Sequence, residues 1–136
     1  MLESLQFDGA PVLVTGGGQG IGRSTCEVLA ELGALVIIVS KTEENVHQTE
    51  KLLADAGAAC EGHVVDVSIK AEVDALAASV KKHHGHVKSI VNNAGTNFVK
   101  KLEELEEDDW HRIIGIDLSS VFYMCKAFLP MLRKAR

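Results

Sequence analysis

The chain has 136 residues, with 14 Lys and Arg against 19 Asp and Glu and a formal charge of −5. Hydrophobic residues make up 46% and charged residues 24%, which excludes a disordered chain and fits one domain over residues 1–136. No basic stripe suits a nucleic-acid partner. No apolar run is read as approaching the about 18 residues of a membrane span, and the N-terminus lacks the basic and apolar regions of a signal peptide. The three cysteines, Cys26, Cys60 and Cys125, form no CxxC pair and read as reduced thiols of a cytoplasmic protein.

Short β-branched runs alternate with helical patterns. Val12 to Thr15 is an apolar run that stops at a glycine cluster. Residues 21–32 read as a helix closed by Gly33. Leu35 to Val39 is apolar without alternation, the pattern of a strand covered on both faces. Residues 43–56 form a second helix before Gly57, and His63 to Val67 a third strand. Ser68 is placed to cap the next helix, whose Val73, Leu76, Ala77 and Val80 follow at i, i+3, i+4 and i+7. That helix ends at Gly85, and Ser89 to Asn92 is the fourth strand. A long helix over 108–133 follows, with an apolar stripe of Trp110, Ile113, Ile114, Val121, Cys125, Phe128 and Leu132, and with Pro130 expected to kink or loosen its last turn.

Strands separated by helices are parallel and joined by right-handed crossovers. The order therefore predicts a doubly wound α/β sheet of Rossmann type, limited to four strands. Such sheets bind ligands at the carboxyl ends of the strands.

After the first strand comes Thr15-Gly16-Gly17-Gly18-Gln19-Gly20-Ile21-Gly22. Glycines at a strand-to-helix turn let a pyrophosphate approach the backbone and the free N–H groups of the helix start. Gly17-x4-Gly22-Arg23-Ser24 also comes within one residue of a Walker A loop. Arg is a fork and Lys a point charge, so that replacement disfavours a nucleotide hydrolase. After the second strand, Ser40-Lys41-Thr42 lacks the acidic residue that usually meets the ribose 2′-OH of NAD. Lys41 suits a 2′-phosphate, which favours NADP. After the third strand, Asp66 stands where it would accept from an adenine amino group or cap a helix. After the fourth, Asn92-Asn93-Ala94-Gly95 combines loop-holding amides with small residues that let the backbone pass close to a flat ligand.

In this order and at these spacings, the glycine loop, Asp66-Val67 and Asn92-Asn93-Ala94-Gly95 resemble the short-chain dehydrogenase/reductase family. The last helix, with Trp110 and Asp117-Leu118-Ser119-Ser120-Val121-Phe122, resembles its β-ketoacyl-carrier-protein reductase and tropinone-reductase-like branches. The resemblance implies an NAD(P)-dependent oxidoreductase that moves a hydride between nicotinamide and a small-molecule carbonyl or alcohol. It implies that Gly16, Gly18, Gln19, Gly20, Ile21 and Gly22 line the pyrophosphate turn, Ser40 and Lys41 face the adenosine ribose, Asp66 and Val67 the adenine, and Asn93, Ala94 and Gly95 the middle of the cofactor. It further implies a homo-oligomer through the helix over 108–133 in a full-length member.

Two departures stand out. Family members run to about twice this length, with two mononucleotide-binding halves, and they use a Ser and a Tyr-xxx-Lys pair on later elements. Here the only Tyr is Tyr123, followed by Met124-Cys125-Lys126, so the chain alone is expected to be inactive. A natural non-catalytic NADP-binding or partner-binding half-domain is the alternative. Asp117 stands where the family commonly has Asn of a proton relay. On the apolar stripe it would be a buried carboxylate needing a partner, whereas a rolled helix would leave it solvated. His83, His84 and His86 suit the end of a helix better than a metal, and the six acids between Glu103 and Asp109 suit a helix start.

Overall fold

The computed structural model describes residues 6–97 and 99–135. Four parallel strands form one sheet in the order β3-β2-β1-β4: β1 is Pro11–Thr15, β2 Leu35–Ser40, β3 Cys60–Val64 and β4 Ser89–Asn92. Three crossover helices join them, α1 (Gly20–Glu31), α2 (Glu43–Asp55) and α3 (Lys70–His84). After β4 come a short 3-10 turn (Leu102–Glu104), α4 (Glu107–Ile113), a π-helical stretch (Ile114–Ser119) and α5 (Ser120–Lys134).

The two central strands are buried on both faces, which is why β2 shows no polar alternation. Alternate residues feed two cores. Val12, Val14, Val36 and Ile38 pack with Cys26 of α1 and Leu53 of α2. Leu13, Ile37 and Val39 pack with Val73, Leu76 and Val80 of α3 and with Met124, Phe128 and Met131 of α5. This sandwich brings the carboxyl ends of β1, β2 and β4, and the loop that follows β3, to one side of the molecule.

Three expectations shift. The third strand lies earlier than the predicted 63–67, because Cys60 to Val64 pair with Val36 to Ser40 of β2. At this sheet edge, ladder pairing overrides a polar sequence, and the apolar Val65 and Val67 lie in the loop beyond. Ser68 does not cap α3. The N-cap is Ile69, and the Ser68 hydroxyl donates to Asp66 Oδ1 at 2.6 Å instead.

The third shift concerns the last helix. Its core face is Ser120, Met124, Phe128 and Met131, while Trp110 (63% accessible) and Cys125 are exposed. The π stretch holds more residues per turn than an α-helix, so the phase before it does not carry on after it. A single 3.6 period drawn through both segments therefore mixes two faces. The helix runs on through Pro130 to Lys134. Taken together, Glu107–Lys134 is long and apolar enough to cross a membrane by length and composition, although only a minor share is buried in this chain. Its buried side chains are those that pack on the sheet and α3. Leu118, Phe122 and Leu129 are among its exposed residues.

Candidate functional site

A cleft of about 380 Å³ opens at the carboxyl ends of the strands. Its first wall is the turn between β1 and α1. Gly16 has φ +65° and Gly20 φ +52°, backbone conformations that glycine adopts without strain. Gly22, in the first turn of α1, has no room for a side chain: a Cβ would sit 2.0 Å from Gly16 O and 2.5 Å from Asn93 Nδ2. The helix start is thereby pressed onto the end of β1, and its N-terminal N–H groups open into the cleft.

The second wall is the loop after β4, sewn to β1 by hydrogen bonds. Thr15 Oγ1 accepts from the backbone N–H groups of Asn93 and Ala94, both at 3.0 Å. Asn93 Nδ2 donates to Thr15 O at 3.1 Å and Gly16 O at 3.3 Å. These bonds fix the glycine turn and the Asn93-Ala94-Gly95 backbone as one unit.

The far end holds Lys41 and Asp66. Lys41 Nζ lies 3.6 Å from Asp66 Oδ2, and its side chain is 59% accessible. Burial alone would push the Asp66 carboxyl up. Hydrogen bonds from the Ser68 hydroxyl and backbone N–H, with the Lys41 charge, outweigh it and hold the group below the usual carboxylate range. Asp66 is therefore an ionised acceptor at neutral pH.

Of the residues singled out from sequence, Gly16, Gln19, Gly20, Ile21, Gly22, Ser40, Lys41, Asp66, Val67, Asn93, Ala94 and Gly95 all line this cleft. Gly18 does not. It is buried against α2, where a Cβ would meet Asn45 Cβ at 2.8 Å, and its carbonyl is turned to the Arg23 guanidinium and the Thr49 hydroxyl. Arg23 is thus committed to the back of the turn and is no phosphate-facing cation of Walker type. Asp117 also lies outside the cleft lining and is exposed rather than buried. Its Oδ1 accepts from the Thr96 N–H at 2.8 Å, because the π stretch turns it away from the core.

Sequence reading missed Thr42, Asn45, Thr96, Arg112 and Ile116 in the lining. Arg112 and Ile116 stand four apart, one turn, at the junction of α4 with the π stretch. Gly115, between them, lies against Ser68, a Cβ there meeting Ser68 Cβ at 3.6 Å. This contact puts α4 at the Asp66 end, and the spacing of Arg112 and Ile116 was the available signal. Elsewhere, His84 Nε2 and His63 Nε2 lie 3.1 and 3.0 Å from the two oxygens of Glu61. Among the described residues no group of three or more His, Cys, Asp or Glu side chains is arranged to hold a metal.

The model of the short chain dehydrogenase family matches residues 10–136. The chain belongs to that family. It is 36% identical over 129 residues to a 3beta-hydroxysteroid dehydrogenase of Mediterraneibacter gnavus, covering 94% of this chain and 47% of the relative. It is 33% identical over 132 residues to the 3-oxoacyl-acyl-carrier-protein reductase FabG of Escherichia coli, covering 97% and 53%. Among solved structures, a gluconate 5-dehydrogenase from Burkholderia cenocepacia in complex with NADP and tartrate superposes with a TM-score of 0.85 at 34% identity, covering 94% of this chain and 50% of that one. A short-chain dehydrogenase/reductase from Burkholderia phymatum in complex with NAD gives 0.88 at 33% identity, covering 93% and 45%. The chain spans about half the length of the curated relatives it matches.

Proposed function

We propose that these residues form the cofactor-binding part of an NADP(H)-dependent oxidoreductase acting on a small-molecule carbonyl or alcohol. The observation that carries the reading is the missing space at Gly22, which leaves the first N–H groups of α1 bare for a pyrophosphate. Gly16, Gln19, Gly20 and Ile21 would hold that group, and Asn93 to Gly95 the segment beyond it. Asp66 would accept from the adenine amino group. Relatives in complex with NADP and with NAD both occur, so the choice between them rests on Lys41. No carboxylate precedes Glu43 after β2, and a lysine at this place complements a 2′-phosphate. When bound, the cofactor supplies hydride chemistry through its nicotinamide ring.

The 136 residues hold no Tyr-xxx-Lys pair, and their one tyrosine, Tyr123, packs against the core beneath the sheet. Cofactor binding without ketone turnover is therefore expected of these residues alone. The free thiols suit a reducing compartment such as the cytoplasm. The exposed apolar side chains of the helix over 107–134, Trp110, Leu118 and Phe122, suit a homo-oligomer contact.

The test is a fluorescence titration of the chain with NADPH and NADH, repeated with Lys41→Met. The reading expects NADPH to bind tighter in the wild type, and Lys41→Met to lose on the order of tenfold for NADPH with little change for NADH. Binding of neither nucleotide would overturn the dinucleotide reading. Equal losses for both would overturn the role of Lys41.

A further inference from the structure

We infer that Arg23 and Thr49 act as a clasp behind the glycine turn, aiming the Gln19 N–H at the pyrophosphate. They are positioning residues for that one group of the cofactor. The inference rests on the dinucleotide reading above and adds residues which that reading does not use.

The clasp is built from three hydrogen bonds. The Arg23 guanidinium donates through Nε to Thr49 Oγ1 at 3.0 Å and through a terminal nitrogen to Gly18 O at 2.7 Å. Thr49 Oγ1 in turn donates to Gly18 O at 3.1 Å. A further bond runs from Arg23 to Gln48 Oε1 at 3.3 Å. Thr49 is 0% exposed, so its hydroxyl needs these partners. The fork of the guanidinium spans two acceptors that a point charge would not reach together.

The consequence lies in the peptide between Gly18 and Gln19. Two donors hold its carbonyl toward α2. The peptide is planar and trans, so its N–H points the opposite way, toward the side where Gln19, Gly20 and Ile21 line the cleft. Gln19 is the N-cap of α1, and its N–H has no acceptor among the described residues. The Gln19 side chain is steadied from the same helix, with Asn45 Nδ2 donating to Gln19 Oε1 at 3.3 Å. Arg23 of α1 and Thr49 of α2 thus together set the direction of a bare N–H on the far side of the turn. Without the clasp this peptide is free to rotate, and the donor is lost from the anion's place.

The experiment compares two ligands that share the adenine end. NADP+ carries the pyrophosphate, and adenosine 2′-phosphate does not. Calorimetric titration of the wild-type chain, Arg23→Met, Arg23→Lys and Thr49→Val gives the ratio of the two affinities. The expected result is about tenfold weaker NADP+ binding in Arg23→Met, the scale of one charge-assisted hydrogen bond. Adenosine 2′-phosphate should stay within about twofold. Thr49→Val should move the same way by less, and Arg23→Lys should fall between wild type and Arg23→Met. If Arg23→Met does not fold, Thr49→Val carries the same comparison.

Equal loss of both ligands together with a lowered melting temperature would make the clasp merely structural and overturn the inference. So would unchanged NADP+ binding in every variant. A wild type that binds neither ligand would instead overturn the dinucleotide reading, and the clasp's role with it.

Discussion

Asp117 reaches back from the π stretch to accept a hydrogen bond from the Thr96 N–H at 2.8 Å. Thr96 follows the Asn93-Ala94-Gly95 segment, so this bond anchors one wall of the cleft to the long C-terminal helix. The contact needs an acceptor at Oδ1 but no charge. Asp117→Asn should therefore leave stability within about 0.5 kcal/mol, whereas Asp117→Ala should cost about 1 kcal/mol. Denaturant midpoints of the two variants check this. Equal losses in both would mean that the carboxylate charge matters.

Gly22 is the position where a single methyl group does the most harm. Its Cβ would have to displace Gly16 O from 2.0 Å, and backbone atoms cannot swing aside as a flexible side chain can. Gly22→Ala should destabilise the chain by about 2 kcal/mol or more and weaken NADPH binding in whatever remains folded. Gly20 also faces the cleft, but a Cβ there meets nothing within 4 Å. The cost of Gly20→Ala comes from its φ of +52° alone, about 1 kcal/mol. Thermal melts of the pair should rank Gly22→Ala as the more damaging, and the reverse order would contradict the geometry.

The difference between these two glycines marks what sequence could and could not reveal. The glycine turn, the residues after β2 and the Asn93 segment were legible because each follows an apolar strand and breaks its pattern, and Asp66 because it interrupts the apolar Val64 to Val67 run. Their convergence follows from parallel strand order alone. Gly18 was misplaced because a motif gives spacing but not which way each peptide faces, and that depends on Thr49, 31 residues away. Asp117 turned outward for another reason. The π stretch, Ile114–Ser119, adds residues to a turn without leaving a sequence mark, so a face drawn through it rotates. The third strand slipped because an edge strand takes its register from its neighbour rather than from its own hydrophobicity.

The cysteines should separate by reactivity. Burial pushes the Cys26 thiol up to about 12, with Glu27 and Cys60 adding to it. Burial and Glu50 also raise Cys60, while Cys125 is exposed. The thiolate is the reactive form, so alkylation of the native chain should mark Cys125 first and Cys60 slowly. Cys26 should react only on unfolding. Peptide mapping after timed treatment with iodoacetamide gives the order. Early labelling of Cys26 would mean that the α1 face of the sheet opens far more readily than its packing implies.

Asp66 gives the chain an acid-sensitive term whose sign is fixed. Its folded pKa lies below the ordinary value, since the Ser68 bonds and the Lys41 charge outweigh burial. Its contribution to stability is therefore fully present above the unfolded value of about 3.9 and is lost as pH falls through the folded pKa. Ser68→Ala removes the hydroxyl bond at 2.6 Å and should bring the folded pKa back toward the unfolded one. The stability gap between wild type and Ser68→Ala should be constant from neutral pH down to the carboxylate range and should shrink below it. Urea midpoints of both proteins across that range check the point. A gap that persists unchanged in acid would mean that Ser68 acts through packing of the loop rather than through the Asp66 carboxylate.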